Sequence, residues 1–99
     1  MSLWTRFWQW YQRGSRVKPS DIELRLTCYA CPEQYDAFYA GVMVGYLRLR
    51  WGYFSVTCPD VCGEVVYSAE PEGHGEFCEH ERERYLSEAR AAIAKRING

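Results

Sequence analysis

Two pairs of cysteines are the residues of this chain best equipped for chemistry: Cys28-x2-Cys31 and, further on, Cys58-x3-Cys62 within Cys-Pro-Asp-Val-Cys-Gly. Four thiolates complete a closed tetrahedral site, so Cys28, Cys31, Cys58 and Cys62 form a candidate metal set and zinc a candidate cofactor, in a zinc-ribbon-like module. The second spacing is one residue longer than the usual knuckle. Reduced structural or surface thiols and disulfides are the other readings of the same residues. Five cysteines is an odd number, and Arg6, Gln9 and Arg13 interrupt the early apolar runs that a secretory signal would need. The expectation is a cytoplasmic protein with reduced thiols and no cofactor.

Cys78 lies between His74 and His80 at the start of an expected helix, a setting that can lower a thiol pKa and create a nucleophile. No orienting group or phosphate loop accompanies it, and two histidines in an acidic loop are ordinarily just solvated. The thiol-enzyme reading is the weaker one, and the chain reads as a non-enzyme. Tyr46, Arg48, Arg50, Trp51 and Tyr53 form the candidate binding surface, because tyrosine, tryptophan and arginine dominate protein-binding hot spots. The same residues also suit an ordinary solvated sheet face.

These groups need elements to position them. Ninety-nine residues build one core, and an apolar content of 47% with 16% aromatics is enough to fill it. From Asp21 onward, short runs of β-branched and aromatic residues alternate with turn signals. Strands are predicted near 22–28, 35–40, 43–50, 53–58 and 64–69, with hairpin turns at Ala40-Gly41 and Trp51-Gly52. Alternation in Tyr46-Leu47-Arg48-Leu49-Arg50 sends Leu47 and Leu49 to the core and the other three outward. Residues 71–75 read as a loop. Glu79 to Ile97 reads as the longest helix, with Leu86, Ala89, Ile93 and Ile97 as its apolar stripe, acids at its start and Lys95 and Arg96 at its end. The small Ala89 and Ala92 should allow close approach to the sheet. The expected fold is α+β: an antiparallel sheet of four to five strands with a C-terminal helix on one face.

Residues 1–20 read separately, as a short aromatic helix ending at Gly14 and a polar linker. Leu3, Trp4, Phe7, Trp8, Trp10 and Tyr11 share one side of that helix, leaving residues 21–99 as the single α+β domain. About ten residues of helix are marginal alone, so the segment must dock on its own domain, on a partner groove, on a second copy, or on a membrane interface through Trp4, Phe7, Trp8 and Tyr11. No stretch approaches the roughly 20 apolar residues that span a bilayer.

The strand count bears on the cysteines. Three passes (35–40, 43–50, 53–58) separate the two pairs, and an odd number of antiparallel passes leaves them at opposite sheet ends. Six residues of strand cover about 20 Å, against roughly 4 Å between sulfurs that share a zinc. Only one long bent strand over residues 35–50 would let them meet.

The net charge of −1 conceals an asymmetry. Residues 1–20 carry Arg6, Arg13, Arg16 and Lys18 and no acid, while residues 60–88 carry nine acids against Arg82 and Arg84. Phosphate binding wants a clustered positive face, so a nucleic-acid partner is disfavoured and a protein partner expected.

Three stretches, Cys-Pro-Glu-Gln-Tyr-Asp-Ala-Phe (31–38), Gly-Tyr-Leu-Arg-Leu-Arg-Trp-Gly-Tyr-Phe-Ser-Val (45–56) and Gly-Glu-Val-Val-Tyr (63–67), resemble a group of small uncharacterised proteins of bacteriophages and bacteria. The resemblance extends through Glu81-Arg-Glu-Arg-Tyr-Leu86 and covers about residues 28–97, leaving out the aromatic N-terminal helix. It implies an origin rather than a mechanism. By analogy, phage accessory proteins of this size usually act by binding a host protein.

Overall fold

The computed structural model describes residues 16–99. Two glycine-containing turns organise it. Ala40 and Gly41 have φ of 50° and 81°, and Trp51 and Gly52 have φ of 53° and 74°, so both pairs take the two-residue turn whose twist matches a hairpin. They join β2 (Glu33–Tyr39) to β3 (Val42–Arg50) and β3 to β4 (Tyr53–Cys58). With β1 (Glu23–Cys28) and β5 (Glu64–Ala69) at the margins, the sheet is a five-stranded antiparallel meander in the order β1-β2-β3-β4-β5. The helix α1 (Glu79–Asn98) packs on one face, over β3, β4 and β5. This is the α+β architecture that the sequence predicts.

Alternation sorts the strands as expected. Leu47 and Leu49 are fully buried with Val56 and Phe54 directly opposite, while Arg48 and Arg50 face the other side with Ser55 and Tyr53 opposite. From the helix, Leu86, Ala89 and Ile93 enter the core, with Ile97 at its rim. Close approach comes from Ala89 and from Gly45 on β3, where an added Cβ would stand 3.0 Å from the Ile93 Cδ1. Ala92, expected in this role, is instead part-exposed on the flank facing β5, and Ala94 is the buried small residue of the last turns.

Two boundaries differ from expectation. β2 starts at Glu33, two residues early, because the Glu33 carboxylate is buried and fully bonded there. Val17 lies inside the core at 4% exposure, its N–H donating to Asn98 Oδ1 (3.0 Å) and its carbonyl accepting from Asn98 Nδ2 (3.0 Å). The packed unit thus begins before residue 21, in what reads as linker, and a single 3-10 turn, Pro19–Asp21, leads into β1. The expected aromatic helix ending at Gly14 lies outside the described residues. Among the described residues no helix is long and apolar enough to cross a membrane.

Between β5 and α1, residues 70–78 form a strap across one end of the sheet. Gly75 O accepts from Cys31 N–H (2.8 Å) in the β1–β2 turn, and His74 O accepts from Gly52 N–H (2.8 Å) in the β3–β4 turn. A side chain at Gly75 would run into Cys31, whose Sγ and Cα would stand 2.7 and 2.9 Å from it.

Candidate functional site on the outer face of the β3–β4 hairpin

Cross-strand register assembles the outer face. Arg48 lies between Gln34 and Ser55, Tyr46 between Asp36 and Thr57, and Arg50 opposite Tyr53. All five residues of the predicted binding surface therefore share one face or its tip. Tyr46 donates its hydroxyl proton to Gln34 Oε1, and burial pushes its own pKa up, so it is a fixed neutral donor at the inner end of the patch. Arg48, Arg50, Trp51 and Tyr53 line a concavity of about 440 Å³ at the outer end.

Trp51 is the outstanding residue. The residue is 81% exposed, on a backbone with φ of 53°, a region that disfavours bulky side chains and that asparagine or glycine ordinarily fills in such a turn. The Arg50 guanidinium lies over the indole, 4.7 Å from its centroid. Because the next amide, Gly52 N–H, is bonded to the strap, the tip is held in place from behind. Among the described residues neither Arg48 nor Arg50 reaches a carboxylate, whereas Arg25, Arg82, Arg84, Arg90 and Arg96 each do.

A second cluster lies under the start of α1. Glu33, 2% exposed, accepts from Phe77 N–H (2.9 Å), from Arg82 Nε (3.1 Å) and Nη2 (3.3 Å), and from the Tyr35 hydroxyl. Burial alone would raise this carboxyl; the bonds from Arg82, Tyr35 and Phe77 outweigh it and hold the pKa below its usual value. Tyr35 is driven upward by burial and by that carboxylate, and Arg82 upward by its bond to Glu33. Nearby, the Glu81 carboxylate collects three backbone N–H groups, from Glu72 (2.8 Å), Gly73 (2.9 Å) and Cys78 (2.9 Å). It too is held low, since those bonds overcome burial. Both glutamates are committed to fixing the strap and the helix start.

Sequence reasoning passed over this cluster. Glu81 carried a signal, standing three residues after the residue that precedes the helix, where a glutamate turns back to cap. Glu33 carried only its phase, alternating with Tyr35 and Ala37, which does not distinguish a paired buried acid from an exposed one.

The cysteines are not brought together. Along the register Cys28 pairs with Gln34, Gln34 with Arg48 and Arg48 with Ser55, so Cys28 is level with a residue three before Cys58. Three strand residues and three strand spacings put Cys28 and Cys58 about 17 Å apart, too far for a shared zinc. This corrects the candidate metal set of Cys28, Cys31, Cys58 and Cys62. Cys31 and Cys62 are exposed, Cys58 is buried with its thiol pushed up, and all five cysteines are unbridged. Cys78 does precede the helix as expected, but burial, then the Glu81 carboxylate, raises its thiol pKa, the reverse of what an activated nucleophile requires. Among the described residues one group, Glu72, His80 and Glu81, has ligand atoms within 4.8 Å of one another. The Glu81 oxygens there are occupied by backbone N–H groups, and His80 Nε2 contacts Glu72.

No family model, curated protein or solved structure matches the chain.

Proposed function

We propose that this chain is a non-enzymatic interaction protein that binds a protein partner through Tyr46, Arg48, Arg50, Trp51 and Tyr53. The observation that carries the reading is Trp51: an exposed indole on an unfavourable backbone, beside two arginines that have no acidic partner among the described residues. Local strain persists where the surroundings enforce it and tends to cluster at functional positions. A tip already bonded to the strap loses little freedom on docking, which favours affinity. The partner's complementary surface would offer a pocket for the indole and carboxylates for the guanidinium groups. The resemblance of residues 28–97 to phage and bacterial proteins suggests a setting, an accessory factor acting on a host protein.

The test is affinity capture from host extract with the wild-type chain, Trp51→Ala and the double variant Arg48→Ala/Arg50→Ala, followed by titration of the purified partner. The expected result is a protein retained by the wild type and lost from both variants, with affinity falling as salt rises. Equal retention by all three, with unchanged melting, removes the hairpin from the proposal.

A further inference from the structure

A second concavity lies elsewhere, between the free edge of β5 and the flank of α1. It measures about 860 Å³ and is lined by Val65, Val66, Tyr67, Ala91 and Ala92, with charged residues at its ends. β5 pairs with β4 on one side and with no described strand on the other. Val65 is 53% exposed, an apolar residue on an open edge of the kind that proteins ordinarily protect. A register shift opposite Val56 and Thr57 makes Val66 an extra residue in β5. Such a bulge bends the edge away from flat pairing, so an occupant meets side chains here rather than continuing the ladder.

The charges along the groove identify an occupant. Glu88, Ala91, Ala92 and Lys95 share one helical stripe, and Glu88 precedes Ala91 by as many residues as Lys95 follows Ala92. A two-fold axis passing between Ala91 and Ala92, perpendicular to the helix, therefore sets each Glu88 against the Lys95 of a second copy. Lys95 has no carboxylate partner among the described residues; Glu88 is bonded to the Tyr67 hydroxyl and lies 3.5 Å from Arg84 Nε, with part of its surface still open. The same axis crosses β5 near Val66, because Arg96 meets Glu64 at one end of the groove and Glu88 meets Tyr67 at the other. Helix and strand thus share one self-complementary centre, as an isologous contact requires.

We infer that the groove between β5 and α1 is the interface of a two-fold homodimer, with the two helices antiparallel across Ala91 and Ala92 and Glu88 of each copy paired to Lys95 of the other. The surface is separate from the hairpin tip.

Sedimentation equilibrium and native mass spectrometry of the full chain across a concentration series test it. The expected result is a dimer whose dissociation constant rises at least about tenfold for Lys95→Glu and for Glu88→Lys, since each reversal puts like charges together twice per dimer. The double variant Glu88→Lys/Lys95→Glu should restore association. Ala92→Glu, on a part-exposed helix position, should yield a monomer that melts like the wild type, which separates interface loss from misfolding. A monomer at the highest soluble concentration overturns the inference. So does a dimer indifferent to all four variants, and one broken by Trp51→Ala alone would place self-association on the hairpin instead.

Discussion

Arg82 at the start of α1 and the arginines on the outer face of the β3–β4 hairpin show what a charge does in this fold. Arg82 bonds Glu33 and the Phe77 carbonyl (3.1 Å) and pairs with Glu79, so four of its five guanidinium N–H groups are engaged. Arg48 and Arg50 stand beside tyrosine and tryptophan and reach no described carboxylate. The first arginine is part of the structure; the second two are available to something outside it. Where a charge is buried and fully bonded, its removal reads out in stability, and where it is exposed and unpaired, in binding.

Breaking the buried side should give the largest effect. Arg82→Ala leaves the buried Glu33 carboxylate without its cation, keeping only the bonds from Tyr35 and Phe77 N–H, and is expected to destabilise the fold by about 3–5 kcal/mol, read from urea unfolding. Glu81→Ala follows, leaving three backbone N–H groups of the strap without their acceptor. A loss of about 1–3 kcal/mol is expected, with faster hydrogen exchange at Gly73 and Cys78 to mark the released segment. Acid should act through the same two carboxylates. Their folded pKa values lie below the usual 4.5, so the unfolded chain binds more protons in the window beneath that value. Their stabilisation is complete above about pH 4.5 and is lost as pH falls through the folded values. Glu81→Gln should flatten the acid limb of a stability–pH curve, and an unchanged limb would show that Glu81 is not one of the groups responsible.

The exposed side should respond least. Trp51→Asn relieves an unfavourable backbone and should leave stability unchanged or improve it by up to about 1 kcal/mol, while abolishing partner binding. Arg48→Ala should fall within about 0.5 kcal/mol of wild type. A large loss of stability from either substitution would erase the distinction between the two regions.

Much of the fold was legible in the chain because its signals are local. Two glycines after Ala40 and Trp51 mark the hairpins, and period-two alternation around Leu47 and Leu49 orients the sheet. Counting passes between Cys28 and Cys58 was enough to argue against a shared metal site. The hairpin surface was legible for the same reason, since alternation alone puts Tyr46, Arg48 and Arg50 on one side. What could not be read depends on partners far along the chain. Glu33 belongs in a strand only because Phe77 and Arg82 come to meet it, and Val17 belongs in the core only because Asn98 bonds its backbone. Ala92 and Ala94 lie on opposite flanks of Ile93, so which of them faces the sheet turns on a rotation of the helix that the Leu86–Ala89–Ile93 stripe does not fix.

The position of α1 after all five strands sets the order of events during synthesis. Each hairpin can close as soon as its second strand is made, since consecutive strands are neighbours throughout. Among the described residues, the inner face, with Leu47, Leu49, Phe54 and Val56, takes its main cover from the helix, which follows. The growing chain therefore passes through a stage in which a formed sheet presents its apolar side to the cell, open to misassociation. That stage ends when the helix docks over β3, β4 and β5, and Arg82, 49 residues along the chain from Glu33, ties the start of the helix to neighbouring β2.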